Sequence, residues 1–158
     1  MELNLGTLLF FLSIHSIAPY ISGYAVSLGA GEQEVALLGP ALSVVAIALR
    51  PLTGFLIDRG KLSLLLLSGI ASAMGAQALY WASATVVGVY AGRGLQGLGV
   101  ALFIPTSIYT ATLAGRSGAS ALAWRSTMIG LSMSLGPALG GAVISLYGYR
   151  ALFVMGIA

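Results

Sequence analysis

The sequence has no cysteine and very few charged side chains. Its 158 residues include seven Lys or Arg, four Asp or Glu and one His, so charged residues make up 7% of the chain. Without cysteine there is no disulfide scaffold, no thiolate nucleophile and no cysteine metal site. Seven scattered basic residues are too few for a nucleic-acid-binding surface. Because soluble domains carry about 25% charged residues, the composition also excludes an ordinary water-soluble globule.

Residues that carry enzyme chemistry are equally scarce. His15 is the single histidine, and no Asp or Glu follows Asp58. A membrane-embedded enzyme needs a constellation such as a Ser/His pair, paired carboxylates or two histidines four residues apart. We therefore predict that the protein is not an enzyme, and we expect neither a metal site nor a cofactor.

What the sequence does contain is long apolar stretches. Apolar residues make up 58% of the chain, and the mean hydropathy is +0.99. A membrane-spanning helix needs about 20 such residues. The pattern predicts an all-α integral membrane domain with five full spans and a sixth span too short to cross the bilayer. The five full spans are residues 3–28, 34–57, 62–82, 85–113 and 120–147, and the truncated sixth is 150–158.

The basic residues of the short loops predict the orientation in the membrane. Cytoplasmic loops carry an excess of Lys and Arg. Arg59, Lys61 and Arg116 fall in loops on the side of the N-terminus, and Arg125 is expected to snorkel towards the same side. Of the basic residues, the opposite loops hold only Arg150. We therefore predict a multi-pass protein of the cell membrane with a cytoplasmic N-terminus.

Arg93 lies deep inside the fourth predicted span. A charge at that depth costs about 2.5–3.5 kcal/mol, so it should face a polar cavity or a partner. The favoured interpretation is a cavity-facing role in substrate or proton coupling. The alternative is a structural pair with a helix dipole or with carbonyls.

Two further clusters contain residues suited to gating. The segment 54–61 reads either as a tight turn in which Gly60 takes a positive φ, or as a latch in which Asp58 accepts backbone N–H groups or pairs with an arginine. In the segment 136–141, Pro137 removes a helical hydrogen bond, while its glycines allow a neighbouring helix to approach closely. The alternative for that segment is an ordinary kinked membrane helix.

Together these clusters resemble motifs of the major facilitator superfamily of secondary transporters. Gly54–Lys61 is similar to the family's loop between helices two and three, but one residue shorter. Arg93–Gly99 resembles the helix-four R-x-x-Q-G-x-G motif, and Gly136–Gly141 resembles the helix-five G-P-x-x-G-G motif associated with exporters. Ser132 stands where that motif usually has a glycine. Tyr149–Phe153 resembles the W-R-x-x-F at the entry of helix six.

The resemblance implies the N-terminal six-helix half of a twelve-helix transporter that works by alternating access. It implies roles for Arg93 and Gln96 in substrate or proton coupling. It implies three partners: the lipid bilayer, a small-molecule substrate, and a C-terminal six-helix half in cis or as a second chain. The implied gating residues are Gly54, Asp58, Arg59, Lys61, Gly136, Pro137, Gly140 and Gly141.

The other ionisable groups within the predicted spans are His15, Arg50 and Arg125, and none of them is acidic. A cationic lining disfavours a cationic substrate and suits a small organic anion or a neutral solute. His15 is either a proton carrier, because its reference pKa is near neutrality, or a donor to a neighbouring carbonyl. Arg50 and Arg125 each have a structural alternative to a place in this lining. For Arg50 it is a structural role beside a proline, and for Arg125 it is an extension of the side chain to the headgroups.

Two tyrosines are additional candidates for substrate contact. Tyr20 and Tyr24 lie four residues apart, on one face of a helix that follows Pro19. Their alternative is an interfacial aromatic belt.

The functional prediction is a secondary active transporter, an exporter or a proton-coupled permease. The alternative is a non-transporting assembly or regulatory module derived from a truncated transporter.

Overall fold

A computed structural model of the chain describes residues 2–113 and 118–157, the side chains of 2 and 3 excepted. Over these residues the chain forms seven helices joined by short turns, and they contain no strand. The predicted all-α fold class is confirmed. The helices are α1 (Glu2–Ile17), α2 (Ile21–Ser27), α3 (Glu32–Ala48), α4 (Arg50–Asp58), α5 (Leu62–Ala82), α6 (Val86–Leu113) and α7 (Gly118–Ile157).

Two of the predicted spans are interrupted beside a proline, and a glycine marks the boundary between the last two spans. α1 and α2 form one bent span with an angle of 41°, and Pro19 lies in the break between them. Pro51 occupies the first turn of α4, where its missing N–H is tolerated. α7 contains a non-helical residue, Gly148, with a φ of 79°. Gly148 therefore separates the predicted fifth span from the short sixth one.

Within the described ranges, four stretches are long and apolar enough to cross a membrane: residues 32–58, α5, α6 and α7. The bent pair α1–α2 makes a fifth. Many large apolar side chains point away from the bundle, and Leu67, Val87 and Leu146 are each more than 60% exposed. An apolar exterior of this kind suits a lipid environment, because a monomeric soluble protein rarely exposes large contiguous apolar patches.

The most extensive helix packing joins α1 with α7, which are far apart in the chain, and α6 with α5, which precedes it. α6 also packs against α3. Glycines allow the close approach at several crossings: a Cβ on Gly97 would overlap the carbonyl oxygen of Leu42, and one on Gly99 would lie 2.9 Å from the carbonyl oxygen of Gly69. Residues 149–157 of α7 pack next to α1 and α5, where Leu152 and Phe153 are fully buried.

Short connections make successive spans antiparallel, so one end of the bundle holds the start of α1, the α4–α5 turn and the end of α6. We call this the N-terminal end. The α4–α5 turn is a Schellman motif: Gly60 N–H donates to the Ile57 carbonyl at 2.8 Å, and Lys61 N–H donates to the Leu56 carbonyl at 3.1 Å. Gly60 has a φ of 72°, as the sequence predicted.

We expect Gly60→Ala to lower the free energy of unfolding by about 1–2 kcal/mol, since a Cβ is disfavoured at positive φ. Gly54→Ala is the control, because Gly54 is helical and has no neighbour within 4 Å of a Cβ. Thermal unfolding in detergent micelles, followed by circular dichroism, compares the two variants. Equal melting temperatures for both variants would show that the turn does not depend on glycine.

Candidate functional site

Arg93 is held inside the bundle by two other polar side chains. Its side chain is 8% exposed, and Nη1 donates a hydrogen bond to Oε1 of Gln96 at 2.9 Å. The hydroxyl of Tyr80, on α5, donates to the same oxygen at 3.0 Å. α5 comes this close because α6 has Gly92 at the crossing, where a Cβ would overlap the Tyr80 ring. We call these three side chains, Arg93, Gln96 and Tyr80, the Arg93 cluster.

The Arg93 cluster leaves two buried donors unused. Nε of Arg93 and Nε2 of Gln96 have no hydrogen-bond partner among the residues that the structure describes. A buried unpaired group costs about 1–3 kcal/mol, more when charged. Nη1 of Arg93 donates to the carbonyl oxygen of the Gln96 amide, so the alternative of a structural pair with a helix dipole or with carbonyls stays open beside the cavity-facing role. The cluster thus holds a cation without neutralising it.

Arg125 lies in a second buried cluster near the N-terminal end. It is 7% exposed, its Nε donates to the Ser107 hydroxyl on α6 at 3.1 Å, and its Cζ lies 5.8 Å from the centre of the Phe11 ring on α1. The expectation that Arg125 snorkels to the headgroups is wrong. The guanidinium turns into the bundle because Ser107 offers an acceptor at that level.

His15 lies on the same aromatic residue, and its ring stacks on Phe11 at 5.6 Å. Nδ1 of His15 is buried and has no partner in the described part of the chain. Both interpretations of His15, a proton carrier and a donor to a neighbouring carbonyl, stay predictions. Phe11 contacts both basic side chains, so the structure brings His15 and Arg125 together around one ring, whereas Arg93 belongs to a different cluster.

The third motif, residues 136–141, forms the crossing of α7 over α1. A Cβ on Gly136 would lie 2.9 Å from the carbonyl carbon of His15, and one on Gly140 would overlap the carbonyl oxygen of Ser16. Ser132, at the position of the missing glycine, is fully buried and donates to the Leu8 carbonyl at 3.1 Å. A small hydroxyl therefore replaces the glycine while adding a bond between the helices.

The two candidate tyrosines point to different neighbours. Tyr20 donates its hydroxyl to the Pro137 carbonyl at 2.7 Å, and a Cβ on Gly141 would lie 2.6 Å from that hydroxyl oxygen. Tyr24 is 7% exposed and donates to the carbonyls of Tyr80 at 3.1 Å and Ser83 at 2.7 Å. In this conformation both hydroxyls bond to the backbone of adjacent helices, and a role in substrate contact stays a prediction.

The residues of the predicted latch lie at the N-terminal end of the bundle. Asp58, Arg59 and Lys61 are exposed, and Cζ of Arg59 lies 4.1 Å from the centre of the Phe55 ring. Asp58 forms no ion pair with another described residue. Arg50 is also exposed, so it is separate from both buried arginine clusters. A latch contact would need a partner from outside the described chain.

Sequence reasoning missed a polar cluster that joins α1, α5 and α7. The Ser13 hydroxyl donates to the Gly156 carbonyl at 2.7 Å, and Nε2 of fully buried Gln77 lies 3.3 Å from the Ser13 hydroxyl. A mainly apolar groove of about 270 Å³ lies beside it, lined by residues that include Phe10 and Met74. A glutamine in an uncharged span was the available signal.

Comparisons with known proteins identify the family of this chain. The family model described as Major Facilitator Superfamily matches residues 3–158. The chain belongs to the Major Facilitator Superfamily. Its resemblance to that family, inferred above from three motifs, is confirmed, and the chain is a multi-pass membrane protein of this superfamily.

Relatives in this superfamily carry names that refer to efflux and resistance. The multi-drug resistance efflux pump PmrA of Streptococcus pneumoniae, strains TIGR4 and R6, is 30% identical over 165 residues, which cover 95% of this chain. The methylenomycin A resistance protein of Bacillus subtilis is 30% identical over 107 residues, which cover 66% of this chain and 23% of that protein. The chain spans only 39% of the length of PmrA.

Proposed function

We propose that the chain is the N-terminal half of a secondary active exporter of a small organic anion or a neutral solute. Its membership in the superfamily supports transport, and the names of the two kinds of relative support the outward direction. The observation that carries the proposal is the Arg93 cluster, in which a buried cation has no acidic partner and keeps an unused N–H donor.

In the proposed mechanism, two six-helix halves rock around a substrate bound between them. Arg93 alternates between the Gln96 amide and an anionic group, which is either on the substrate or on a proton-carrying carboxylate of the other half. Because a buried charge is costly in the membrane, each exchange favours one conformation over the other. Gln96 and Tyr80 orient the guanidinium, while His15 remains a second candidate for carrying a proton.

The gating residues have separate proposed roles. Asp58 and Arg59, exposed at the N-terminal end, would contact the C-terminal half in one conformation and release it in the other. The closely packed crossing at residues 136–141 would make α1 and α7 move as one body. The N-terminal end would be cytoplasmic in the cell membrane, since Arg59 and Lys61 lie there.

Flux through proteoliposomes tests the proposal. The complete transporter, meaning this chain with its six-helix counterpart, is reconstituted and given a panel of organic anions under a proton gradient. We expect Arg93→Ala to reduce flux of the transported anion at least about tenfold, which corresponds to about 1.4 kcal/mol. Arg50→Ala, which removes an exposed arginine, is the matched control and should leave the flux unchanged.

Two outcomes would contradict this proposal in different ways. Equal flux with and without Arg93 across the whole panel would remove the coupling role of that residue. An absence of flux, with complexes of the chain intact, would instead support the alternative of a non-transporting assembly or regulatory module.

A further inference from the structure

Arg125 is a second buried cation, and no acidic side chain that the structure describes pairs with it. The sequence has four acidic residues, Glu2, Glu32, Glu34 and Asp58, so none is on α6 or α7. The described residues place the last three in exposed positions at the ends of helices. None of these three described carboxylates therefore neutralises the charge of Arg125.

The neighbours of Arg125 fix its orientation but do not neutralise it. Nε is bonded to the neutral Ser107 hydroxyl, and the Phe11 ring lies near the outer limit for a cation–π contact. Nη2 is buried and has no partner among the described side chains and backbone. One nitrogen of the guanidinium is thus anchored, and another remains unused in an interior where buried donors are normally satisfied.

This cluster lies far from Arg93. Ser107 follows Arg93 on the same helix, and at about 1.5 Å per residue the two positions are about 21 Å apart along α6. Arg93 lies towards the end opposite to the N-terminal end, whereas Ser107 and Arg125 lie towards the N-terminal end. The two buried cations therefore occupy different depths in the membrane.

We propose that Arg125, with Ser107, Phe11 and His15, forms a second anion site that binds the carboxylate of a small organic anion. The planar guanidinium matches a carboxylate, and the bond to Ser107 fixes the plane in which it presents its N–H groups. The buried Phe11 ring supplies the apolar neighbour of the guanidinium. His15, on the same ring, adds a buried nitrogen without a partner.

This assignment rests on the proposed function, because it gives an exported anion a binding position nearer the N-terminal end than Arg93. An anion would then move between two cations at different depths, rather than binding at a single site. Binding to Arg125 is nevertheless measurable without transport, so the two proposals can fail separately.

Calorimetric titration of the chain in phosphatidylcholine nanodiscs tests the site, with benzoate as the probe and benzamide as its neutral counterpart. We expect benzoate to bind more tightly than benzamide, and Arg125→Gln to weaken benzoate at least about tenfold. Ser107→Ala should weaken it by a smaller factor, because the charge remains while the orientation is lost. Arg125→Lys keeps the positive charge and should keep part of the benzoate affinity. This variant therefore distinguishes loss of the charge from misfolding of Arg125→Gln.

The exposed Arg50→Gln is the matched control, and it should bind benzoate within about twofold of the unmodified chain. Equal binding of benzoate and benzamide would overturn the second site. So would loss of benzoate binding in Arg93→Gln but not in Arg125→Gln, a result that leaves the proposed function standing. Arg125-dependent binding together with Arg93-independent flux would support the second site and contradict the coupling role of Arg93.

Discussion

Replacing Gly140 with alanine is expected to force α1 and α7 apart and to lower the free energy of unfolding by about 3 kcal/mol. A Cβ at this position would overlap the backbone carbonyl oxygen of Ser16 and lie 3.0 Å from its carbonyl carbon. No change of rotamer can relieve a clash with the backbone, so the helix itself must move. The movement would also weaken the hydrogen bond from the Tyr20 hydroxyl to the Pro137 carbonyl, which joins the same two helices.

Gly130→Ala is the matched control for this prediction. Gly130 lies on the same helix, is exposed, and has no neighbour within 4 Å of a Cβ. Alanine is a better helix former than glycine by about 1 kcal/mol, so this variant should be as stable as the original or slightly more so. Thermal unfolding in micelles compares the melting temperatures of Gly140→Ala and Gly130→Ala. If Gly140→Ala melts together with Gly130→Ala, the close crossing of α1 and α7 does not stabilise the bundle.

The sequence predicted those features of the fold that depend on one residue and its immediate neighbours. A positive φ at Gly60 follows from the need to end α4 and turn within three residues, and glycine is the residue that adopts it at little cost. The break at Pro19 was not predicted, since residues 3–28 were interpreted as one full span. The glycines of 136–141 predicted a close crossing, since four-residue spacing puts two of them on one face.

The partners of the buried arginines were not predictable in this way. Which side chain faces Arg125 depends on the rotation and relative height of α6 against α7, and the apolar spans leave both undetermined. Ser107, eighteen residues earlier in the sequence, is one of several hydroxyls on α6. An arginine near the end of a span is equally compatible with snorkelling and with burial, and the position of one hydroxyl decides between them.

The same limit applies to Tyr80. No motif in the sequence singled it out, yet it is fully buried and donates to Gln96 on the next helix. The sequence shows that Gly92 is small enough for a close crossing. It does not show that the Tyr80 ring fills the space next to Gly92. Glycines indicate where helices approach, whereas the polar contacts between them depend on the packed structure.

Gln96→Leu should lower the free energy of unfolding by about 3 kcal/mol. The Oε1 atom of Gln96 accepts hydrogen bonds from both Arg93 and Tyr80, and removing it leaves a buried cation and a buried hydroxyl without partners. Each such orphaned group costs about 1–3 kcal/mol. Gln33→Leu is the matched control: Gln33 is exposed on the first turn of α3, so the same change in side chain should have little effect there.

A double-mutant cycle shows whether this loss comes from the pair. Replacing both partners of a buried polar interaction with apolar groups is often nearly neutral, whereas removing one leaves the other uncompensated. Arg93→Leu combined with Gln96→Leu should therefore be more stable than Gln96→Leu alone by about 1–2 kcal/mol, measured by thermal unfolding in micelles. Simple addition of the two single effects would mean that Gln96 stabilises the bundle through packing and does not hold the Arg93 guanidinium in place.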